Sequence, residues 1–323
     1  MEITIIGPGA VGTLLGSLLQ LKGHRVTLRG RRQPAEPNAI QRVVLPGQWC
    51  VVDGLRSEGP EDAVGSADAF FVTMGRHHLH AERRPDFTRL VGSGDSPVVF
   101  FNCDPAEPER LAVDPERVHR CLTMMNAVSL QAGDVELSTE KPVLVHQRSQ
   151  QLARILSALS SFGFQVLPVD DVRPYANSFF VFQLLYLPVA LCNTTLREFL
   201  AFPQGRELAL GILHEGFAAM EMAGMPMASL PIMDPHELSA RLEKKPALFE
   251  MDRGAPQREY NSVLQAYLKG KPTEAAQLNR KAVDLASSTG VHLTWNWRIF
   301  QKAGRVASMG FYTDPAELLR ALG

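Results

Sequence analysis

Three glycines spaced Gly-x-Gly-x-x-Gly, at Gly7, Gly9 and Gly12, carry the most specific chemistry in the chain. They follow a short apolar run, Glu2–Ile6, and open a helical run from about Thr13 to Lys22, so the loop Gly7-Pro8-Gly9-Ala10-Val11-Gly12 reads as a strand-to-helix turn. In that context Gly7 permits the tight turn, Gly9 lets the backbone approach a pyrophosphate, and Gly12 lets the helix pack close to the strand. The helix N-terminus, worth about half a positive charge, faces the phosphates. A second strand, Arg25–Leu28, runs into Arg29-Gly30-Arg31-Arg32. An NAD-preferring site places an acid about twenty residues beyond the glycines to bind the ribose 2′-hydroxyl. No Asp or Glu occurs between Thr13 and Ala35, and three arginines stand there instead. Arginine suits a 2′-phosphate because its planar fork donates two hydrogen bonds and keeps its charge. The cofactor expected is NADP(H); the competing reading is a ligand-free turn followed by a solvated basic run.

Other residues offer weaker chemistry. Asn102 stands at the end of a strand, where doubly wound sheets bind ligands, or else simply forms a turn. His77, His78 and His80 invite a metal reading, but their spacing matches neither a helical pair nor a zinc pattern, so no metal is expected. Cys50, Cys103, Cys121 and Cys192 lack CxxC spacing and read as isolated thiols of a reducing compartment, with the cytoplasm as the expected location. The formal net charge of −1 gives no pull toward nucleic acid or an anionic membrane. The most apolar stretch, Phe179–Cys192, is short and interrupted by Pro188, so no membrane span is expected.

These residues need elements to position them. At 323 residues the chain suggests two domains. Strands are expected at 42–45, 51–52, 69–74, 97–101, 121–126, 134–138, 143–146 and 165–169, with helices at 80–91 and 149–161. Such alternation implies an α/β domain with a mostly parallel, doubly wound Rossmann-type sheet and late antiparallel additions. Beyond Asp170 only helical periodicity remains, over 175–191, 206–223, 234–244, 261–269, 274–290, 294–305 and 315–322. The organisation expected is an NADP-binding domain, 1–169, and an all-α substrate and dimerisation domain, 170–323. The sequence does not fix whether the protein dimerises. Trp295 and Trp297, two apart on a helix, cannot share a face. Met220, Met222, Met225 and Met227 read chiefly as core filling, with an adaptable pocket as the alternative.

Several of these motifs together resemble the ketopantoate reductases, 6-phosphogluconate-dehydrogenase-like enzymes that reduce 2-dehydropantoate with NADPH. The glycine loop and Gly23-His24-x-Val26-Thr27-Leu28-x-x-Arg31 are similar to the family's, with Arg31 at its 2′-phosphate arginine. Phe101-Asn102 resembles the asparagine beside the nicotinamide. Ser262-Val263-Leu264-Gln265, then Lys269-Gly270-Lys271-Pro272-Thr273-Glu274 and Asn279, resemble the substrate-domain signature, and Glu215 with Gly224 and Pro226 also follows the pattern. The resemblance implies that Asn102 and Glu274 polarise or orient the carbonyl and that Ser262 and Asn279 bind substrate in the interdomain cleft. Arg76, beside the position of a family lysine, would reach the adenine ribose or its phosphate.

The chain departs from the family where the proton is delivered. Counting back from Pro188, the family's catalytic lysine falls on Phe179, its first asparagine on Gln183 and its second on Leu187. No lysine occurs between Lys141 and Lys244. General acid–base assistance is worth roughly 10²–10⁴-fold, and phenylalanine supplies none. Two functions stay open. One is an NADPH-dependent reductase for a more apolar small carbonyl compound, with another acid such as Tyr175 or Tyr186 and with Gln183 on the substrate. The other is a non-catalytic NADP(H)-binding or sensor protein. The retention of Asn102, Ser262 and Glu274 favours the reductase.

Overall fold

The computed structural model describes residues 1–30, 41–59, 65–74, 87–92, 94–102, 111–131, 134–244, 249, 261–270, 275–288, 290 and 292–323. Two compact units emerge, Met1–Val172 and Arg173–Gly323.

The first unit is a Rossmann-type sheet domain. Its strands are β1 (Glu2–Ile6), β2 (Arg25–Arg29), β3 (Gln41–Leu45), β4 (Gln48–Val52), β5 (Arg56–Glu58), β6 (Ala69–Val72), β7 (Val98–Phe101), β8 (Val118–Met124), β9 (Ala127–Gln131), β10 (Asp134–Leu137), β11 (Val143–Gln147) and β12 (Gln165–Val169). Eight of them form one sheet in the order β12-β11-β8-β7-β6-β1-β2-β5. Every pairing from β8 to β5 is parallel, and β11 and β12 run the other way at the far edge. The order reverses between β1 and β6, so the carboxyl ends of these two strands make the crevice in which such sheets bind ligands.

Helix α1 (Ala10–Leu21) shows why the first motif forms where it does. Leu14, Leu15, Leu18 and Leu19 are fully buried, against Ile3, Ile5, Val26 and Leu28 of the main sheet. Burying each such leucine stabilises by about 1.5–3 kcal/mol. A second sheet, ordered β4-β3-β10-β9, closes over this core with Val43, Leu45, Val52, Val135 and Leu137. Sequence reasoning missed β5, at the edge of the main sheet, and β9, and although it expected strands at β3, β4 and β10 it did not foresee that they form a separate second sheet. Described helices α2 (Phe87–Val91) and α3 (Gln150–Leu156) complete the unit, the latter running into a 3₁₀ turn over Ser157–Phe162.

The second unit is helical, with no strand among its described residues: α4 (Arg173–Gln183), α5 (Tyr186–Leu191), α6 (Leu196–Ala201), α7 (Pro203–Met222), α8 (Pro235–Lys244), α9 (Ser262–Leu268), α10 (Ala275–Ser287), α11 (Thr294–Lys302), α12 (Arg305–Met309) and α13 (Pro315–Leu322). Helix α7 lies at the centre and buries Leu208, Ile212, Leu213 and Met220. The single helix expected over 175–191 is two helices, because Pro188 has no N–H to bond the carbonyl of Leu184 and its ring crowds that carbonyl. The chain turns at Leu184–Leu185 and restarts with Pro188 in the first turn of α5, where proline is tolerated. By length and composition the stretch Arg173–Leu191, mean hydropathy 1.2, would suffice to cross a membrane; 72% of its most apolar window is buried inside the protein, the pattern of a core helix.

Candidate active site

At the carboxyl end of β1 the chain makes the turn its glycines allow. Gly7 has φ +92°, and a Cβ there would stand 2.9 Å from the Met74 backbone nitrogen that follows β6. At Gly12 a Cβ would stand 2.4 Å from Thr73 Oγ1 and 2.7 Å from the Gly7 carbonyl oxygen, so α1 sits against the strand as only glycine permits. The Thr73 hydroxyl donates to that same carbonyl at 2.7 Å, which ties the ends of β1 and β6 together. Gly9 is different: it is exposed, and nothing lies within 4 Å of the place a Cβ would occupy. Gly9 is also the N-cap of α1, no side chain caps the helix, and its first turn holds no acid. The first N–H groups of α1 thus face an open cradle with a partial positive charge, the arrangement a dinucleotide pyrophosphate requires.

The end of β2 is more crowded than the sequence suggests. Arg29 is buried, and its guanidinium donates to Glu58 of β5 at 2.5 Å. Glu58 lies in register with Arg29 on the neighbouring strand. The run of three arginines is therefore not one basic patch, since the first is tied to a carboxylate that arrives from 29 residues away in sequence. Arg31 and Arg76 lie outside the described residues, as do Glu274, Cys103 and the His77, His78 and His80 group.

Asn102 ends β7 on the same side of the sheet, with φ +53°. Its amide is clasped to β8. The amide nitrogen donates to Thr123 Oγ1 at 2.6 Å, and the amide oxygen accepts from the Thr123 N–H at 2.7 Å. This clasp fixes the turn, so the structure gives Asn102 a positioning role more directly than a carbonyl-polarising one.

On the helical unit, Phe179, Phe182 and Tyr186 form an aromatic ladder along one stripe of α4 and into α5. Phe179 and Phe182 stack with centroids 6.5 Å apart, and Tyr186 meets Phe182 edge-on at 6.1 Å. Gln183, half-buried, shares this stripe by helical spacing. Lys281 of α10 approaches the adjacent residue, its ammonium 5.7 Å from the Phe180 ring centroid. Ser262 is the exposed first residue of α9; the capping is done by Asn261, whose side-chain oxygen accepts from the Val263 and Leu264 N–H groups at 3.1 and 2.9 Å. Asn261, not Ser262, therefore caps the start of the helix.

Asn279, which the resemblance places on the substrate, stands in a buried polar network. It is wholly buried, and its amide nitrogen donates to the Leu184 carbonyl at 3.2 Å and to Asn296 Oδ1 at 2.8 Å. Glu215 is a structural acid: its two oxygens accept the Trp295 and Asn296 N–H groups at 2.7 and 2.9 Å, supplying the cap that Leu293 cannot give α11. Asn296 escaped sequence reasoning altogether. Trp295 is half-buried and Trp297 is 42% exposed, as their spacing requires. Met220 is buried, Met225 and Met227 pack on the core, and Met222 is exposed.

Two buried cysteines are unreactive. Burial pushes the Cys121 thiol far up. Cys192 is raised to about 12 by burial and by the charges of Asp314 and Glu317. Neither forms a thiolate near neutrality. Among the described residues no cluster of His, Cys, Asp or Glu could hold a metal ion.

Comparison with known proteins agrees with this geometry. Residues 3–150 match the family described as ketopantoate reductase PanE/ApbA, and residues 182–306 match that family's C-terminal domain. The chain belongs to the ketopantoate reductase family. No curated protein sequence matches it. Among solved structures, 2-dehydropantoate 2-reductase from Geobacter metallireducens GS-15 is 17% identical with a TM-score of 0.76, covering 95% of this chain and 100% of that one. A dimeric ketopantoate reductase from Staphylococcus aureus is 16% identical, TM-score 0.68, over 100% and 98% of the two chains. D-mandelate dehydrogenase, solved with NADH and anilino(oxo)acetate, is 15% identical, TM-score 0.74, over 94% and 97%. The family is described as one of reductases, and the D-mandelate dehydrogenase of similar fold was solved with a nicotinamide cofactor, NADH. The glycine cradle and the uncapped start of α1 are the part of the chain that fits that cofactor.

Proposed function

We propose that this protein is an NADPH-dependent reductase of 2-keto acids or related small carbonyl compounds whose carbonyl-bearing carbon carries an apolar, aryl-sized group. The carrying observation is the open, uncapped cradle at Gly9, which has no evident use without a bound anion. When bound, NADPH supplies the hydride. The chain supplies the rest: the first N–H groups of α1 hold the pyrophosphate, Arg31 reads the 2′-phosphate, and Arg76 contacts the adenosine end. Asn102 fixes the turn beside the nicotinamide position. On the helical domain Ser262 and Gln183 bind the polar end of the substrate and Glu274 orients the reacting carbonyl. The aromatic ladder of Phe179, Phe182 and Tyr186 excludes water and favours an apolar substituent. The aryl-bearing oxo compound in the D-mandelate dehydrogenase structure supports this choice of substrate class.

A ketone oxygen that receives negative charge needs a proton. With Phe179 at the family's lysine position, we assign that proton to Tyr186, whose ring extends the same ladder. The test is NADPH consumption across a panel of 2-keto acids and ketones. Turnover should fall about 10²-fold or more in both Tyr186→Phe and Glu274→Gln, the range expected for loss of acid–base or orienting groups. If no carbonyl compound consumes NADPH while the cofactor still binds, the protein is a cofactor-binding member of the family without reductase activity. Dimerisation and a cytoplasmic location remain part of this proposal; the S. aureus dimer supports the former.

A further inference from the structure

The break between α4 and α5 exposes a carbonyl that has no donor in its own helix. In a continuous helix the Leu184 carbonyl would accept from residue 188, and residue 188 is proline. The chain tightens there: the Leu184 N–H donates to Val181 and the Leu185 N–H to Phe182, each three residues back at 3.2 Å. Leu184 is fully buried, so its carbonyl needs a partner from elsewhere. Asn279 of α10 provides it at 3.2 Å. Asn279 is in turn held by Asn296, whose amide donates to Glu215 Oε2 at 2.9 Å. Two residues on, the Tyr186 carbonyl accepts from the Asn261 side chain at 3.0 Å, and Asn261 is the cap of the helix that begins with Ser262. Two asparagines from two different helices thus grip the two carbonyls on either side of Leu185.

We propose that Asn261 and Asn279, the latter braced by Asn296 and Glu215, are positioning residues that lock the α4–α5 turn in register with the start of α9, so that Gln183, Tyr186 and Ser262 meet the substrate in one fixed arrangement. This rests on the reductase reading above. None of the four touches substrate; each acts through the backbone that carries the residues that do. Asn261 has two separable jobs. Its oxygen caps α9 and its nitrogen holds Tyr186.

Asn261→Ser separates them, because serine caps a helix about as well but is too short to reach the Tyr186 carbonyl. Hydrogen exchange of amides 183–191 and steady-state kinetics would be measured on the full chain, with NADPH affinity as a control. The expected result is exchange about tenfold faster at the turn and kcat about tenfold lower, the effect of one lost hydrogen bond, with NADPH affinity unchanged. Asn279→Ala should do the same with a larger loss of stability, because it leaves a buried carbonyl unmet; if it fails to fold, Asn261→Ser still decides. Unchanged exchange at 183–191, or faster exchange with kcat unaltered, would overturn the proposal. If the wild-type protein turns over no carbonyl compound, the reductase reading fails instead, and the exchange data alone decide whether the asparagines lock the turn.

Discussion

The two ends of the proposed reaction are built from different materials. The cofactor end is made of backbone: a left-handed glycine, a glycine pressed against Thr73, an open glycine, and the N–H groups of an uncapped helix. The substrate end is made of side chains on helices: an aromatic ladder, a half-buried glutamine and an exposed serine. Backbone sites constrain a few glycines and leave other positions free. Side-chain sites change chemistry with each substitution. On the proposed reading, that difference lets the chain keep its dinucleotide loop while Phe179 changes the substrate side.

The largest effect expected from breaking the contrast is at Gly12. Gly12→Val drives methyl groups into Thr73 and the Gly7 carbonyl, costing about 1–3 kcal/mol and abolishing NADPH binding together with stability. At Gly9 a Cβ would have no protein atom within 4 Å, so Gly9→Val should leave the melting temperature unchanged while NADPH affinity falls. Parallel thermal melts and fluorescence titrations check the pair; loss of stability in Gly9→Val would mean that the open space at Gly9 is structural. Next in size, Arg31→Ala should weaken NADPH by roughly 10- to 100-fold, the worth of charged hydrogen bonds, and leave NADH nearly untouched. Equal losses for both cofactors would return the site to a generic dinucleotide loop. Because Arg29 is already paired with Glu58, Arg29→Ala should act through stability and not through the ratio of the two cofactors.

The smallest effect concerns pH. His119 is lowered by burial and by neighbouring His146. His146 is lowered chiefly by burial, with the Gln147 carbonyl opposing and Arg148 adding. Both are lower in the fold than in the unfolded chain, so the unfolded chain takes up protons first as the pH drops below the ordinary value of about 6.5. Their contribution to stability is present above that pH and is lost as the pH falls toward the lowered values. Melting temperature should therefore decline on acidification through this window, and less so in His146→Gln.

Much of this was legible in the sequence. Strand, glycine turn and helix followed one another with the right spacing, and apolar runs marked the central strands β1, β6 and β7. What was hidden depends on partners far apart in the chain. Strand β5 is three residues of Arg, Ser and Glu, and only its pairing with β2 makes it a strand. Glu58 could not be placed beside Arg29 from spacing alone. Asn279, Asn296 and Glu215 meet across 17 and 81 residues, and as separate polar residues on amphipathic helices they look ordinary. One signal did point to them. A proline inside an apolar helical run leaves a buried carbonyl without a donor, and a polar side chain has to come to it.

The most direct test of the central claim, a backbone cradle on the first unit that takes the dinucleotide and an aromatic-lined substrate site on the second, is the ratio of kcat/KM for phenylglyoxylate to that for ketopantoate, with saturating NADPH. A ratio above about 10 is expected, since an apolar pocket fitted to one substituent discriminates by roughly 10- to 200-fold. A ratio below one, with brisk reduction of ketopantoate, would contradict it: the family's chemistry would then persist without its lysine, and the aromatic ladder would be mere core.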